Sequence, residues 1–161
     1  MTEIAELLAD TIMRKIGQAG ELYYRLVILA APAGSGKTAA LRDVHERTAA
    51  PLININLELS RRMLDLAERQ RAVQTPALLR EIAGESAADV VLLDNIEILF
   101  DVSLRQDPLR LLQGLSRNRT AVAAWNGFID GRELVYAAPD HPEYRRYPVR
   151  DFLIAPPGAV E

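Results

Sequence analysis

The chain has 161 residues, of which 49% are hydrophobic and 25% charged, with a net charge of −3. A chain this long buries roughly 70% of the surface it exposes when unfolded, so a single domain spanning 1–161 is expected. It has no cysteine and two histidines, which excludes a disulfide framework and thiolate zinc sites, argues against a His-built metal centre, and fits a cytoplasmic protein.

In chain order, Ile4, Leu7, Leu8, Ile12 and Ile16 recur every three to four residues. That spacing predicts an amphipathic helix within 1–20, packing on the domain and closing at Gly17 or Gly20. The acidic opening, MTEIAELLAD, has no secretory-signal character, and no apolar run approaches the ~20 residues of a membrane span. Arg25 to Ala31 is a continuous apolar run, as suits a strand buried on both faces of a parallel sheet. It leads into Pro32-Ala33-Gly34-Ser35-Gly36-Lys37-Thr38, and Ala39 to Thr48 reads as a helix. Pro51 opens a partly alternating strand, Leu52 to Leu59, after which Ser60 would cap a helix to about Val73. Thr75-Pro76 would start another helix to about Gly84, a capping side chain with proline at the first helical position.

Asp89 to Asp94 predicts a third buried strand that ends in a carboxylate. Asp107-Pro108 repeats the capping signal for a helix to Leu115. Thr120 to Asn126 reads as a fourth strand and Glu133 to Ala137 as a short fifth. Beyond Pro139 no period is visible apart from Val149 to Ile154. Strands separated by helices predict an α/β fold, three layers around a mainly parallel sheet of about five strands. Functional loops then lie at the carboxyl ends of the strands.

Ala31-x-x-x-x-Gly36-Lys37-Thr38 matches the Walker A pattern, with alanine where the first glycine usually stands. Each residue type has a mechanical reason. Gly34 and Gly36 let the backbone curl, so that N–H groups from Ala33 through Ser35 to Ala39 cradle phosphate oxygens. The following helix adds its positive end. Lys37 would reach the β- and γ-phosphates of ATP, and Thr38 would place its hydroxyl on Mg2+. Only two of the 19 basic residues are lysine, and one falls on this position.

Val90-Val91-Leu92-Leu93-Asp94 has the form of a Walker B strand, with Asp94 as the partner of Thr38 at the metal. The span between Lys37 and Asp94 suits a P-loop ATPase with an extra strand inserted between the two motif strands. Active members usually carry glutamate directly after that aspartate. Here the position is Asn95, an amide that orients water and cannot take its proton. Glu97 is the alternative catalytic group if the turn presents it inward, and otherwise a solvated loop residue. Asn126, at the end of the fourth strand, is a candidate contact to the γ-phosphate or the attacking water; the pair Asn126-Gly127 also reads as a turn.

Arg117, Arg119 and Arg132 are candidates for an arginine that stabilises a transferring phosphate. Arg61-Arg62, Arg69/Arg71 and Arg145-Arg146 could meet the phosphates of DNA, although acidic residues are interleaved with most of them.

Taken together, Ala31-Pro-Ala-Gly-Ser-Gly-Lys-Thr38, Val90 to Phe100, Ala124-Trp-Asn-Gly127 and Pro139-Asp-His-Pro-Glu-Tyr144 resemble the BrxF family, the small P-loop proteins of type 3 BREX phage-defence systems. The resemblance implies an AAA+-like core without a C-terminal helical lid, ATP binding and a bacterial cytoplasm. It also implies work beside larger BREX components, including a partner ATPase, with nucleotide-dependent self-association or association. A small-molecule kinase on the same loop and a non-hydrolysing interaction module are the competing readings.

Overall fold

The computed structural model describes residues 2–155; residues 156–161 of the expected domain lie outside them. The described residues form five α-helices and seven strands. The helices are α1 (Thr2–Ala19), α2 (Lys37–Thr48), α3 (Ile55–Met63), α4 (Glu68–Ala83) and α5 (Pro108–Leu115). The strands are β1 (Leu26–Ala31), β2 (Leu52–Asn54), β3 (Val90–Asp94), β4 (Thr120–Asp130), β5 (Glu133–Tyr136), β6 (Arg145–Pro148) and β7 (Leu153–Ala155). None of the helices is long and apolar enough to cross a membrane.

Five strands lie side by side in the order β2-β3-β4-β1-β7, every neighbouring pair parallel. The fold is α/β with a mostly parallel central sheet. Side-chain alternation explains why both faces are covered. Leu26, Ile28, Val91, Leu93, Ala121 and Ala123 point into one core with α3, α4 and α5. Their neighbours Val27, Leu29, Leu92 and Val122 point the other way, onto α1 and α2. Each such side chain is fully buried, a contribution of about 1.5–3 kcal/mol for each leucine, isoleucine and valine relative to exposure. This alternation is why the strands read as unbroken apolar runs.

Four local expectations change. The strand from Leu52 stops at Asn54, because the Asn54 side chain accepts from Leu57 N–H and caps α3 instead. Ser60 therefore lies inside α3, and the helix expected to reach Val73 breaks before Glu68. Thr75-Pro76 does not start a helix; both residues sit within α4. Thr75 is buried and its hydroxyl donates to Arg71 O at 2.6 Å. Proline in a helix interior leaves the carbonyl four residues back without its N–H. That carbonyl is Ala72 O, and Gln106 Nε2 donates to it at 2.7 Å. A side chain from another element thus supplies the missing bond. The tail, expected to be largely irregular, adds β6 and β7.

The capping expectation at Asp107 carries through, whereas the fourth strand does not end at Asn126. Asp107 caps α5, accepting from Arg110 N–H with Pro108 at the helix start. β4 runs past Asn126 into an antiparallel arm with β5 and β6, so Asn126-Gly127 is strand rather than turn. The close crossing of that arm demands glycine at 127. A Cβ there would stand 1.9 Å from Val135 O and 2.9 Å from the Trp125 ring.

Candidate functional site

The strand order decides which side chains meet. β4 lies between β1 and β3, and its register sets Asn126 opposite Ala31, where the glycine loop begins. On its other side, Asp94 ends β3. The glycine loop after Ala31, Asn126 of β4 and Asp94 at the end of β3 thus meet at one cleft of about 260 Å³.

The loop reaches its shape through two left-handed glycines, Gly34 at φ 79° and Gly36 at φ 95°. Ser35 turns its hydroxyl back to Pro32 O at 2.5 Å, and among the loop residues expected to cradle phosphate, Ala33 to Ala39, it is the one that does not line the cleft. Ala33, Gly34, Gly36, Lys37, Thr38 and Ala39 all do. α2 starts directly at Lys37 behind Gly36, with no side-chain cap and no acidic residue in its first turn. Its leading N–H groups and the positive helix end therefore have no anionic partner among the described residues.

Lys37 is buried, 6% exposed. Its ammonium donates to Ala31 O and Pro32 O, both at 2.7 Å. Burial pushes its pKa below the ordinary lysine value, while the nearby Glu97 and Asp94 carboxylates pull it back up. An ammonium has three donors, and these two carbonyls take two of them. Next to it, the Thr38 hydroxyl donates to Asp94 Oδ2 at 2.7 Å.

After Asp94 the chain turns sharply. Asn95 adopts a left-handed backbone, φ 52°, a conformation that asparagine tolerates better than most residues with a side chain. Its N–H donates to Asp94 Oδ1 and its carbonyl accepts from Asn56 N–H. This turn brings Glu97 around to the cleft at the head of a 3₁₀ turn, Glu97–Phe100. Glu97 is not a solvated loop residue. Asn56 Nδ2 donates to its Oε1 at 3.2 Å, and Asn126 Nδ2 to its Oε2 at 2.9 Å.

Asn56 escaped the sequence reading, which placed it inside a strand. It sits in the first turn of α3 and also accepts from Ile98 N–H through Oδ1, tying α3 to the segment after β3. The signal available was a polar residue breaking the apolar run after Ile55. Beneath the cleft, Phe100 stacks on Tyr136 with ring centroids 3.5 Å apart, and Trp125 meets both edge-on. Trp125 Nε1 also donates to Val135 O at 3.1 Å. These rings anchor the residues flanking Glu97 and Asn126, so both polar side chains rise from a rigid base.

None of the three candidate arginines lines the cleft. Arg117 stacks on Tyr23, 4.5 Å from the ring centroid, and Arg119 donates to Ala83 O and Ser86 O. Both precede β4, at the end of the sheet opposite the cleft. Arg132 lies in the β4–β5 connection. Of the arginine clusters, Arg61 pairs with Glu58, Arg62 with Glu58, Glu81 and Glu85, and Arg146 with Asp130 and Glu133.

No protein-family model matches the chain, and no curated protein matches it. Among solved structures, the chain is similar to C. elegans PCH-2, at 17% identity and a TM-score of 0.36. The match covers 77% of this chain and 36% of that one, so the chain spans about a third of the length of that protein.

Proposed function

We propose that this chain binds magnesium ATP in the cleft and hydrolyses it slowly, acting as a nucleotide switch. The observation that carries this reading is Lys37: a buried ammonium beneath a left-handed glycine loop, with two of its three donors on carbonyls. The third donor, the α2 N-terminus and the loop N–H groups form one anion-binding set, and no described carboxylate occupies it. Thr38 and Asp94 offer hard oxygen donors, which fits a magnesium ion. Bound there, the metal would neutralise charge building on the phosphate oxygens.

The chain's own residues then divide the work. Lys37 and the loop amides hold the phosphates. Glu97 accepts the proton of the attacking water as the bond from the γ-phosphorus to the bridging oxygen breaks. Asn126, bonded to Glu97, orients that water, and Asn56 fixes the carboxylate from the other side. Asn95 serves chiefly as the turn residue that delivers Glu97. Slow turnover follows from having no arginine in the cleft, since such a residue accelerates phosphoryl transfer by about 10³–10⁵-fold.

The same gap supports association with a second protein that completes the site, either another copy or a larger partner ATPase. The segments resembling the BrxF family support placing that assembly in a type 3 BREX system in the bacterial cytoplasm. The test is calorimetric ATP titration of the isolated chain with magnesium, followed by phosphate release. Binding with weak turnover is expected, rising when BREX partners are added. A folded protein that takes up no heat with ATP would overturn the reading.

A further inference from the structure

Away from the cleft, a trough runs between α4 and the segment from Ser103 through α5 to Asn118. Its two halves enclose about 620 and 560 Å³ and meet at Gln106. Five arginines line it against two carboxylates, Glu68 and Asp107. Asp107 is already engaged, accepting from Arg110 N–H and from the Tyr147 hydroxyl.

The arginines stand on both walls. Arg69 and Arg80 project from α4, and Arg105, Arg110 and Arg117 from the opposite side. Among the described residues, Arg69, Arg80, Arg105 and Arg117 make no ion pair, and Arg110 meets Asp107 only at 3.9 Å. Between the walls the floor is apolar, formed by Leu79, Leu111 and Leu115, and Val73 stands 72% exposed in the other half.

Gly114 adds an independent sign. It is an exposed glycine inside α5, with nothing within 4 Å of where a Cβ would be. Glycine there costs the helix about 1 kcal/mol relative to alanine, and nothing within the chain requires it. A bare backbone at the wall of a groove lets another chain approach closely.

We propose that this trough is a docking groove for an acidic amphipathic helix of a partner protein. An apolar floor between two arginine-bearing walls matches a helix whose apolar stripe is flanked by carboxylates on both sides. Arginine forks pair with carboxylates in bidentate geometry. A single-stranded nucleic acid fits less well. Grooves for it combine positive charge with aromatic stacking platforms, and no aromatic residue lines the trough. The inference does not depend on nucleotide binding at the cleft.

The test uses the full chain and fluorescence anisotropy with a labelled synthetic helix carrying a leucine stripe between two rows of glutamate. A glutamine-for-glutamate version and labelled oligothymidylate serve as comparison probes. Saturable binding of the acidic helix is expected, weaker for the glutamine version and at raised salt. Arg80→Glu with Arg110→Glu should weaken it at least about tenfold. Gly114→Gln should weaken it too, while leaving the melting temperature equal or higher. The proposal is overturned if the acidic helix does not saturate or binds these variants as well as the parent. It is also overturned if oligothymidylate is the probe whose binding the variants abolish.

Discussion

Asn126 Nδ2 donates a 2.9 Å hydrogen bond to Oε2 of Glu97, joining the middle of β4 to the turn that follows β3. Because Asn56 holds the other carboxylate oxygen, Glu97 has one defined position above Lys37 and Asp94. Glu97→Gln keeps the shape while removing the proton acceptor; its NH2 cannot accept from an asparagine amide, so one of the two hydrogen bonds from Asn56 and Asn126 is kept and the other is lost unless that amide turns over. It should cut steady-state phosphate release by about 10²–10⁴-fold with little change in ATP affinity. Asn95→Glu should not raise turnover, because position 95 is held left-handed, where a longer side chain costs roughly 1–2 kcal/mol. Faster release in Asn95→Glu would show that position 95 carries the water-activating group.

Lys37→Ala removes the ammonium, taking its donor from Ala31 O and leaving Pro32 O with the Ser35 hydroxyl alone. ATP affinity should fall about 100-fold, the scale of a charge-assisted hydrogen bond and its desolvated surroundings. Because the side chain is buried, circular dichroism must accompany the titration to show that the fold survives. Undiminished affinity in a folded variant would remove Lys37 from the site.

The ammonium also gives the site a pH dependence with a definite sign. Burial lowers the Lys37 pKa, so the folded chain releases that proton more readily than the unfolded chain does. Stability from this group therefore rises as pH climbs from the lowered value toward 10.5, while ATP affinity falls over the same range. Glu97 and Asp94 both raise this pKa, so in Glu97→Gln the alkaline loss of ATP affinity should begin at lower pH. An alkaline limb that moves upward in that variant would contradict the assignment.

Pro76 and Gln106 form a coupled pair across two elements. Gln106→Ala should destabilise the chain by about 1–2 kcal/mol, since Ala72 O then has neither an N–H nor an amide. With Pro76→Ala, residue 76 regains an N–H for that carbonyl, and the cost of Gln106→Ala should shrink. Denaturant unfolding of the parent, the two single variants and the double variant reads the coupling directly; additive losses would show that the amide acts elsewhere.

Gly127→Ala should be among the most damaging changes of one methyl group. The new Cβ would sit 1.9 Å from Val135 O, so the β4–β5 arm must shift and carry Asn126 with it. A loss of about 3 kcal/mol is expected, together with reduced turnover. Unaltered melting and activity would mean that the arm relaxes without moving the site.

Local chemistry made much of this legible in the sequence. Unbroken apolar runs announced buried parallel strands, because alternate side chains feed two cores. The glycines before Lys37 and the carboxylate closing Val90 to Asp94 likewise act through neighbours in the chain, and Asp107 caps α5 within three residues. What the tertiary structure alone decided involves partners far apart in sequence. Placing β4 between β1 and β3 requires strand pairing that no local pattern encodes, and that order brings Asn126 to Glu97. The placement of Glu97 at the cleft depends on the left-handed turn at Asn95 and on Asn56, 41 residues upstream of Glu97. Pro76 read as a helix start because proline breaks helices on local grounds. Inside α4 it stands because an amide from 34 residues beyond Ala72 satisfies the carbonyl it frees.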